Sequence, residues 1–348
     1  MSTSILNVGT LCPCLEGFML LSCDKPRLSS LFEAVHQYLY QEIFVAAKWI
    51  DAREAIKAIE QLNAHMPHGT LLPLLSCGVV GGDMEQAIPL AAAWVLYDIA
   101  SDIFDDLQDG DGKDRPWVMW PIGKAMNVGL QLLGGAQQCL SQLKGSPGAQ
   151  SEILAWCAQV LKHAAYDQNV MFANDPNANR LEAYWSQVVA KSGEIFACIM
   201  QSGGRVHTGN RELLNALYTY GLSVGIMIQL LDDCRDMSSS VAKSDLETRH
   251  YTLPILYSLS QTGHPCYHEL SGLLSKDTVV SDVDVEQICC LAIDMGGIQH
   301  TFYLIHSYRL KAMQALACFP QGTYRRLLEQ YVTSFDFAIA SALEVAAN

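Results

Sequence analysis

What this sequence has least of is positive charge. Lys and Arg together number 22 against 36 Asp and Glu, giving a formal net charge of −14 and a pI near 5.0. No basic stripe runs along any segment, which excludes nucleic acid and anionic membrane surfaces as partners. An anionic ligand would need metal ions or a few placed cations. Period-two strands are also missing. TVVSDVDV at 278–285 comes nearest, and its acids and isolation make it a loop leading into a helix. Metal-ligand cysteine spacing is absent too. Of twelve cysteines, Cys12 and Cys14 are one residue apart and Cys289 and Cys290 adjacent, with no CxxC. Reduced core thiols are expected, not a disulfide framework. The opening MSTSILNVGTLCPCLEGFMLL lacks a basic n-region and a clean cleavage site, so no signal peptide is expected. The apolar run at 87–100 is shorter than the ~20 residues of a membrane span and ends in acid. A soluble, cytoplasmic protein without stable membrane insertion is expected.

What is abundant is helical periodicity. Half of the 348 residues are hydrophobic and 17% are charged, ample for a large core. From Ser30 to about Met66, apolar residues recur at three- and four-residue steps: Leu31, Val35, Tyr38, Leu39, Ile43, Ala46, Ile50. The same pattern covers 84–108, 121–144, 150–172, 180–205, 211–236, 251–261, 283–295, 298–317 and 322–346. Breaks fall at GSPG (145–148), NDPNAN (174–179), TGN (208–210) and TGHP (262–265). The reading is one all-α domain over 26–348, preceded by a loosely attached tail, 1–25.

The acids are not spread evenly. SDIFDDLQDGD at 101–111 follows the apolar run AIPLAAAWVLYDIA, and such crowded carboxylates need screening or a cation. On a helix, Asp105 and Asp109 are neighbours at i, i+4, with Asp106 beside them. IQLLDDCRDMSSS at 228–240 repeats the spacing with Asp232, Asp233 and Asp236, again closing an apolar helix. DGDGKD at 109–114 suggests a calcium loop, but the twelfth position, which needs Glu, is Trp120. A single DDxxD is usually a solvated helix end. Two, each ending a strongly apolar helix, suit hard divalent ions shared with substrate phosphates.

With these motifs the sequence resembles the trans-isoprenyl diphosphate synthase (polyprenyl synthetase) family and its terpene-cyclase relatives, over about 65–260 and onward to the end. PLAAAWVLYDIASDIFDDLQD looks like the first aspartate-rich helix, and EAYWSQVVAKSGEIFACIMQSGG like the segment carrying Lys-Thr-Gly. GLSVGIMIQLLDDCRD and SDLETRHYTLPILYSL look like the second aspartate-rich helix and the Lys-x-Thr-Leu-Pro stretch. The resemblance implies a single large antiparallel helical bundle around a central apolar cavity, forming a homodimer. It makes Asp105, Asp109 and Asp232 metal ligands, with Asp106, Asp233 and Asp236 bound directly or through water. The ions are Mg2+, about three of them, with Mn2+ a substitute. Lys191 would reach the diphosphate of an allylic isoprenyl substrate, with Ser192 in the threonine position. Gln229 lies three residues ahead of the second cluster, Gln168 would match a family glutamine near the reacting carbon, and Lys243 would match a second diphosphate lysine. Tyr97, Phe104, Phe172 and Phe196 are expected to line the pocket; as individuals they read equally as plain core.

The sequence leaves the family where isopentenyl diphosphate should bind. Gly69 and Leu72 replace a lysine and an arginine, and Asp98 replaces a His or Gln. Asp114 precedes Arg115 where two arginines stand, and His250 replaces a lysine. Charge-assisted phosphate contacts contribute about 1.5–3 kcal/mol each, so losing several weakens binding by orders of magnitude. The expectation is therefore an enzyme that ionises the allylic diphosphate and then cyclises or quenches the cation, as a class I terpene synthase. Small Ser101 and Ala100 above Tyr97 and Trp94 suggest a substrate of fifteen to twenty carbons. The alternatives are chain elongation with isopentenyl diphosphate, transfer to another acceptor such as a peptide tryptophan, and a non-catalytic partner subunit.

Overall fold

The computed structural model describes residues 25–40, 66–109, 115–171, 180–237, 242–243, 246, 249, 251–275 and 281–335. Among them every regular element is helical, as the periodicity predicts. The helices are α1 (Lys25–Tyr38), α2 (Met66–Val79), α3 (Ile88–Asp109), α4 (Ile122–Ser141), α5 (Ala149–Met171), α6 (Arg180–Val188), α7 (Glu194–His207) and α8 (Arg211–Asp236). They continue as α9 (Leu253–Ser260), α10 (Tyr267–Leu274), α11 (Asp282–Asp294), α12 (Gly297–Ala315) and α13 (Thr323–Thr333). The chain divides into two compact units. Described residues up to Gln159, with Cys198–Tyr218 and Leu316–Ser334, form the first; Val160–Ala197, Thr219–Ala315 and Phe335 form the second.

The first unit is built around α3. Every residue from Leu90 to Tyr97 is buried, so this helix is enclosed on all sides instead of showing one apolar face. It packs on α4, α2 and α1. Its start is set by a 3-10 turn, Met84–Ala87, whose cap Asp83 accepts the Glu85 N–H at 3.1 Å. The periodicity does not reveal α2, because Pro73 and flanking glycines read as loop; Pro73 lies inside it. Gly203 of α7 lies against that helix, and a Cβ there would sit 2.3 Å from the Pro73 carbonyl oxygen. Tyr324 of α13 lies on Gly78, and Arg27 donates to its hydroxyl at 2.6 Å.

In the second unit α9 packs on α12, α11 and α6. TGN at 208–210 works as expected: Asn210 caps α8, accepting the Glu212 N–H at 3.0 Å. Ser281 and Asp284 form a capping box that starts α11, so 281–285 leads into a helix as expected. The continuous helix expected over 180–205 is instead broken by a π turn, Val189–Gly193, between α6 and α7. Such one-residue insertions re-aim side chains locally.

Met84–Gln108 and Arg211–Asp236 are long and apolar enough to cross a membrane, unlike the shorter run read from sequence. However, 67% and 56% of their apolar windows are buried inside the protein. The described cysteines are all free, and burial pushes the Cys77 and Cys139 thiols up to about 12, which makes them inert core groups.

Candidate functional site

The first aspartate cluster closes α3. Asp105 is half-buried there; the Asp109 side chain lies outside the described residues. Asp106 is held by the protein itself. The Trp117 indole N–H donates to its Oδ2 at 2.6 Å, and Arg115 Nε stands 3.6 Å from the same oxygen. Arg115 also donates to Asp102, and its guanidinium lies 5.4 Å from the Trp117 ring centroid. The lone arginine retained after the cluster is thus engaged by carboxylates of α3. Burial raises the Asp106 carboxyl, opposed by the Trp117 hydrogen bond and the Arg115 charge. Asp98 keeps a little solvent contact but is crowded by protein. That burial, then the Asp102 charge, holds its carboxyl well above the ordinary range against the pull of Arg115.

Deeper in α3, Tyr97 is fully buried, accepts from Gln137 Nε2 at 2.7 Å and meets the Trp94 ring edge-on at 5.5 Å. Ser101 and Phe104 are half-buried. The Phe104 ring lies against Gly129 of α4, where a Cβ would come within 2.6 Å of it. Phe104 is therefore a packing residue of the α3–α4 contact.

The second cluster closes α8. Asp232 and Asp236 are half-buried, and Asp232 accepts from Arg235 at 3.0 Å. Asp233 differs from both. It is 3% exposed and accepts three protein donors: the Tyr184 hydroxyl at 2.6 Å, the Leu253 N–H at 2.9 Å and Gln229 Nε2 at 3.1 Å. A carboxylate offers about four acceptor positions. Three of those positions at Asp233 are taken by the scaffold. Gln229 in turn accepts the Ser192 hydroxyl at 3.1 Å. Lys191, Ser192 and Gly193 occupy the π turn, with Lys191 half-buried. Phe196 is half-buried at the start of α7, and its carbonyl faces Gly221 of α8.

Other expected residues sit apart from these groups. Lys243 pairs with the exposed Asp282 at 2.7 Å, a surface ion pair. The Gln168 side chain, Phe172, Asp114 and His250 lie outside the described residues. The sequence reading missed Asp102, Trp117 and Tyr184. Asp102 lies inside the acidic run at 101–111, and Trp117 stands two residues beyond Arg115. Among the described residues no three His, Cys, Asp or Glu side chains converge closely enough to hold an ion. The donor chemistry nonetheless fits a hard divalent cation, since Asp105, Asp232 and Asp236 offer carboxylate oxygens at helix ends.

Helix ends bearing paired carboxylates on an all-α scaffold define the isoprenoid synthase class of fold. The chain belongs to the polyprenyl synthetase family, whose model matches residues 69–289. It is 24% identical over 240 residues to the all-trans-polyprenyl-diphosphate synthase of Mus musculus, covering 67% of this chain and 56% of the mouse protein. It is 26% identical over 259 residues to the nonaprenyl diphosphate synthase of Mycobacterium tuberculosis, covering 73% of this chain and 74% of that one. The chain thus spans little more than half the length of the mouse relative. The geranylgeranyl pyrophosphate synthase of Corynebacterium glutamicum, complexed with calcium and isoprenyl diphosphate, superposes with a TM-score of 0.74 at 21% identity. That match covers 91% of this chain and 96% of the other, and it shows a shared fold.

Proposed function

We propose that this protein is a Mg2+-dependent prenyltransferase that ionises an allylic isoprenyl diphosphate and extends it with isopentenyl diphosphate. One observation carries the reading. The end of α8 presents Asp232 and Asp236 while Asp233 turns inward and, through Gln229, ties that end to the turn carrying Lys191. Carboxylates and a lysine are thus built into one half-site. Asp232 and Asp236 would hold an ion at the end of α8, and Asp105 one at the end of α3; a bound ion neutralises charge on the departing diphosphate. Lys191 binds the same diphosphate, and its charge is fixed before the reaction, so no reorganisation is needed as charge develops. The names of the relatives, all diphosphate synthases, support elongation over the cyclisation expected from sequence.

A second reading is intramolecular cyclisation, and a specific observation favours it. Arg115 is neutralised by Asp102 and Asp106, and Asp98 adds a further acid nearby. Gly69 and Leu72 supply no charge where the family has cations. We read the assembly as a homodimer, supported by Ile122, Met126 and Leu130, which expose 68%, 48% and 58% of their surface at four-residue steps along α4. The deciding experiment incubates the protein with Mg2+ and ten-, fifteen-, twenty- or twenty-five-carbon allylic diphosphates, with and without isopentenyl diphosphate. Elongated diphosphates support the first reading. Hydrocarbon or alcohol from the allylic substrate alone supports the second, and no diphosphate release from any substrate defeats both.

A further inference from the structure

We propose that Tyr184 is a positioning residue: its hydroxyl anchors the Asp233 carboxylate to which the Gln229 amide donates, and so holds the π turn that carries Lys191. The kinetic part of this inference rests on the prenyl-transfer reading above; the structural part does not. Asp233 is surrounded by donors, one of them the Leu253 backbone N–H, which can only donate. Gln229 must therefore turn its Nε2 toward Asp233, which leaves its Oε1 facing Ser192. A flipped amide would set two acceptors against each other at Asp233, whereas the Ser192 hydroxyl can donate or accept and follows whichever way the amide points. The Ser192 proton is consequently directed at Gln229, and its lone pairs face away.

The Tyr184 hydroxyl shares Asp233 Oδ2 with Leu253 and anchors the carboxylate from α6, the helix that runs into the π turn. Tyr184 is 9% exposed, so the bond is shielded from water. The α8 backbone is also pressed against the turn. A Cβ on Gly225 would stand 2.3 Å from the Ser192 carbonyl oxygen, and one on Gly221 would stand 2.2 Å from that of Phe196. Gly221, Gly225, Gln229 and Asp233 follow one another at four-residue steps, so a single face of α8 makes all these contacts.

Tyr184→Phe keeps the ring and removes only the hydroxyl. Amide hydrogen exchange at 189–193 is expected to quicken about tenfold. The kcat for diphosphate release is expected to fall about tenfold, with KM for the allylic diphosphate within about twofold, as misplacement without lost binding predicts. Unchanged exchange overturns the proposal, as does faster exchange with kcat unaltered. A second pair of variants tests polarity. Asp233→Asn presents an N–H2 to Gln229 and is expected to loosen the turn. Adding Gln229→Glu restores an acceptor facing Ser192 and is expected to recover exchange protection; no recovery overturns the proposal. If wild type releases no diphosphate from any allylic substrate, the functional reading fails, and the exchange data alone decide the role of Tyr184.

Discussion

Gly225→Ala is a small change with a large expected effect. The added methyl would lie 2.3 Å from the Ser192 carbonyl oxygen, 2.7 Å from its carbon and 3.0 Å from Gly193 Cα. All three are backbone atoms, so no side-chain rotation relieves the clash and α8 must move off the π turn. Overpacking of a close contact costs about 1–3 kcal/mol, and a rigid backbone neighbour puts this case near the upper end. Alanine's better helix propensity returns at most about 1 kcal/mol, leaving a net loss of roughly 2 kcal/mol. With a urea slope of about 3 kcal/mol/M, the unfolding midpoint followed by circular dichroism should fall by roughly 0.7 M. Gly272→Ala supplies the control. It lies exposed within α10 with nothing within 4 Å of the added carbon, so propensity alone should raise the midpoint slightly. Equal midpoints for the two variants would refute the claim that α8 and the π turn touch backbone to backbone.

Three further outcomes are expected. Asp98→Asn should gain stability over wild type as pH rises. Below the ordinary carboxylate value both states are protonated and Asp98 contributes nothing. As pH climbs toward its raised folded value only the unfolded chain ionises, so the wild type loses stability that Asn keeps. Melting temperatures across pH 4 to 8 check this, and a constant difference would contradict it. Trp117→Phe removes the N–H held by Asp106; it should cost about 1.5–3 kcal/mol and shift the acid limb of the pH–rate profile upward, since that bond opposes the raised carboxyl. Met126→Glu should turn a dimer into a monomer in sedimentation velocity, whereas a monomeric wild type would remove the α4 stripe as an interface.

Much of the fold was legible because long apolar helices state their period plainly. The termini of α8, Arg211–Asp236, match the range read from periodicity, and those of α4 and α5 fall within three residues. What stayed hidden was structure without a period. α2 contains Pro73 and two glycines nine residues apart, and it packs on α3 and against Gly203 of α7. The π turn inserts one residue into an otherwise continuous apolar pattern, a change too small for a hydrophobic period to register. At the site, the acids and Lys191 were visible because clustered charge is conspicuous in so apolar a chain. Tyr184 was not, because a tyrosine on an amphipathic helix reads as ordinary core until its hydroxyl partner is known.

The repeated DDxxD spacing accounts for this division of labour. On an α-helix the first and fifth positions are about 40° apart around the axis, whereas the second is turned about 100° from the first. The second lies only about 60° from the fifth, so the three acids share one broad side of the helix, with the second at its edge. Protein donors meet both turned residues: Trp117 and Arg115 at Asp106, and Tyr184, Leu253 and Gln229 at Asp233. The second aspartate thus ties its helix end to the protein by its own hydrogen bonds. On the reading proposed above, one five-residue word encodes scaffold and ligand side together, which is why its repetition at two helix ends is more informative than the same acids scattered along the chain.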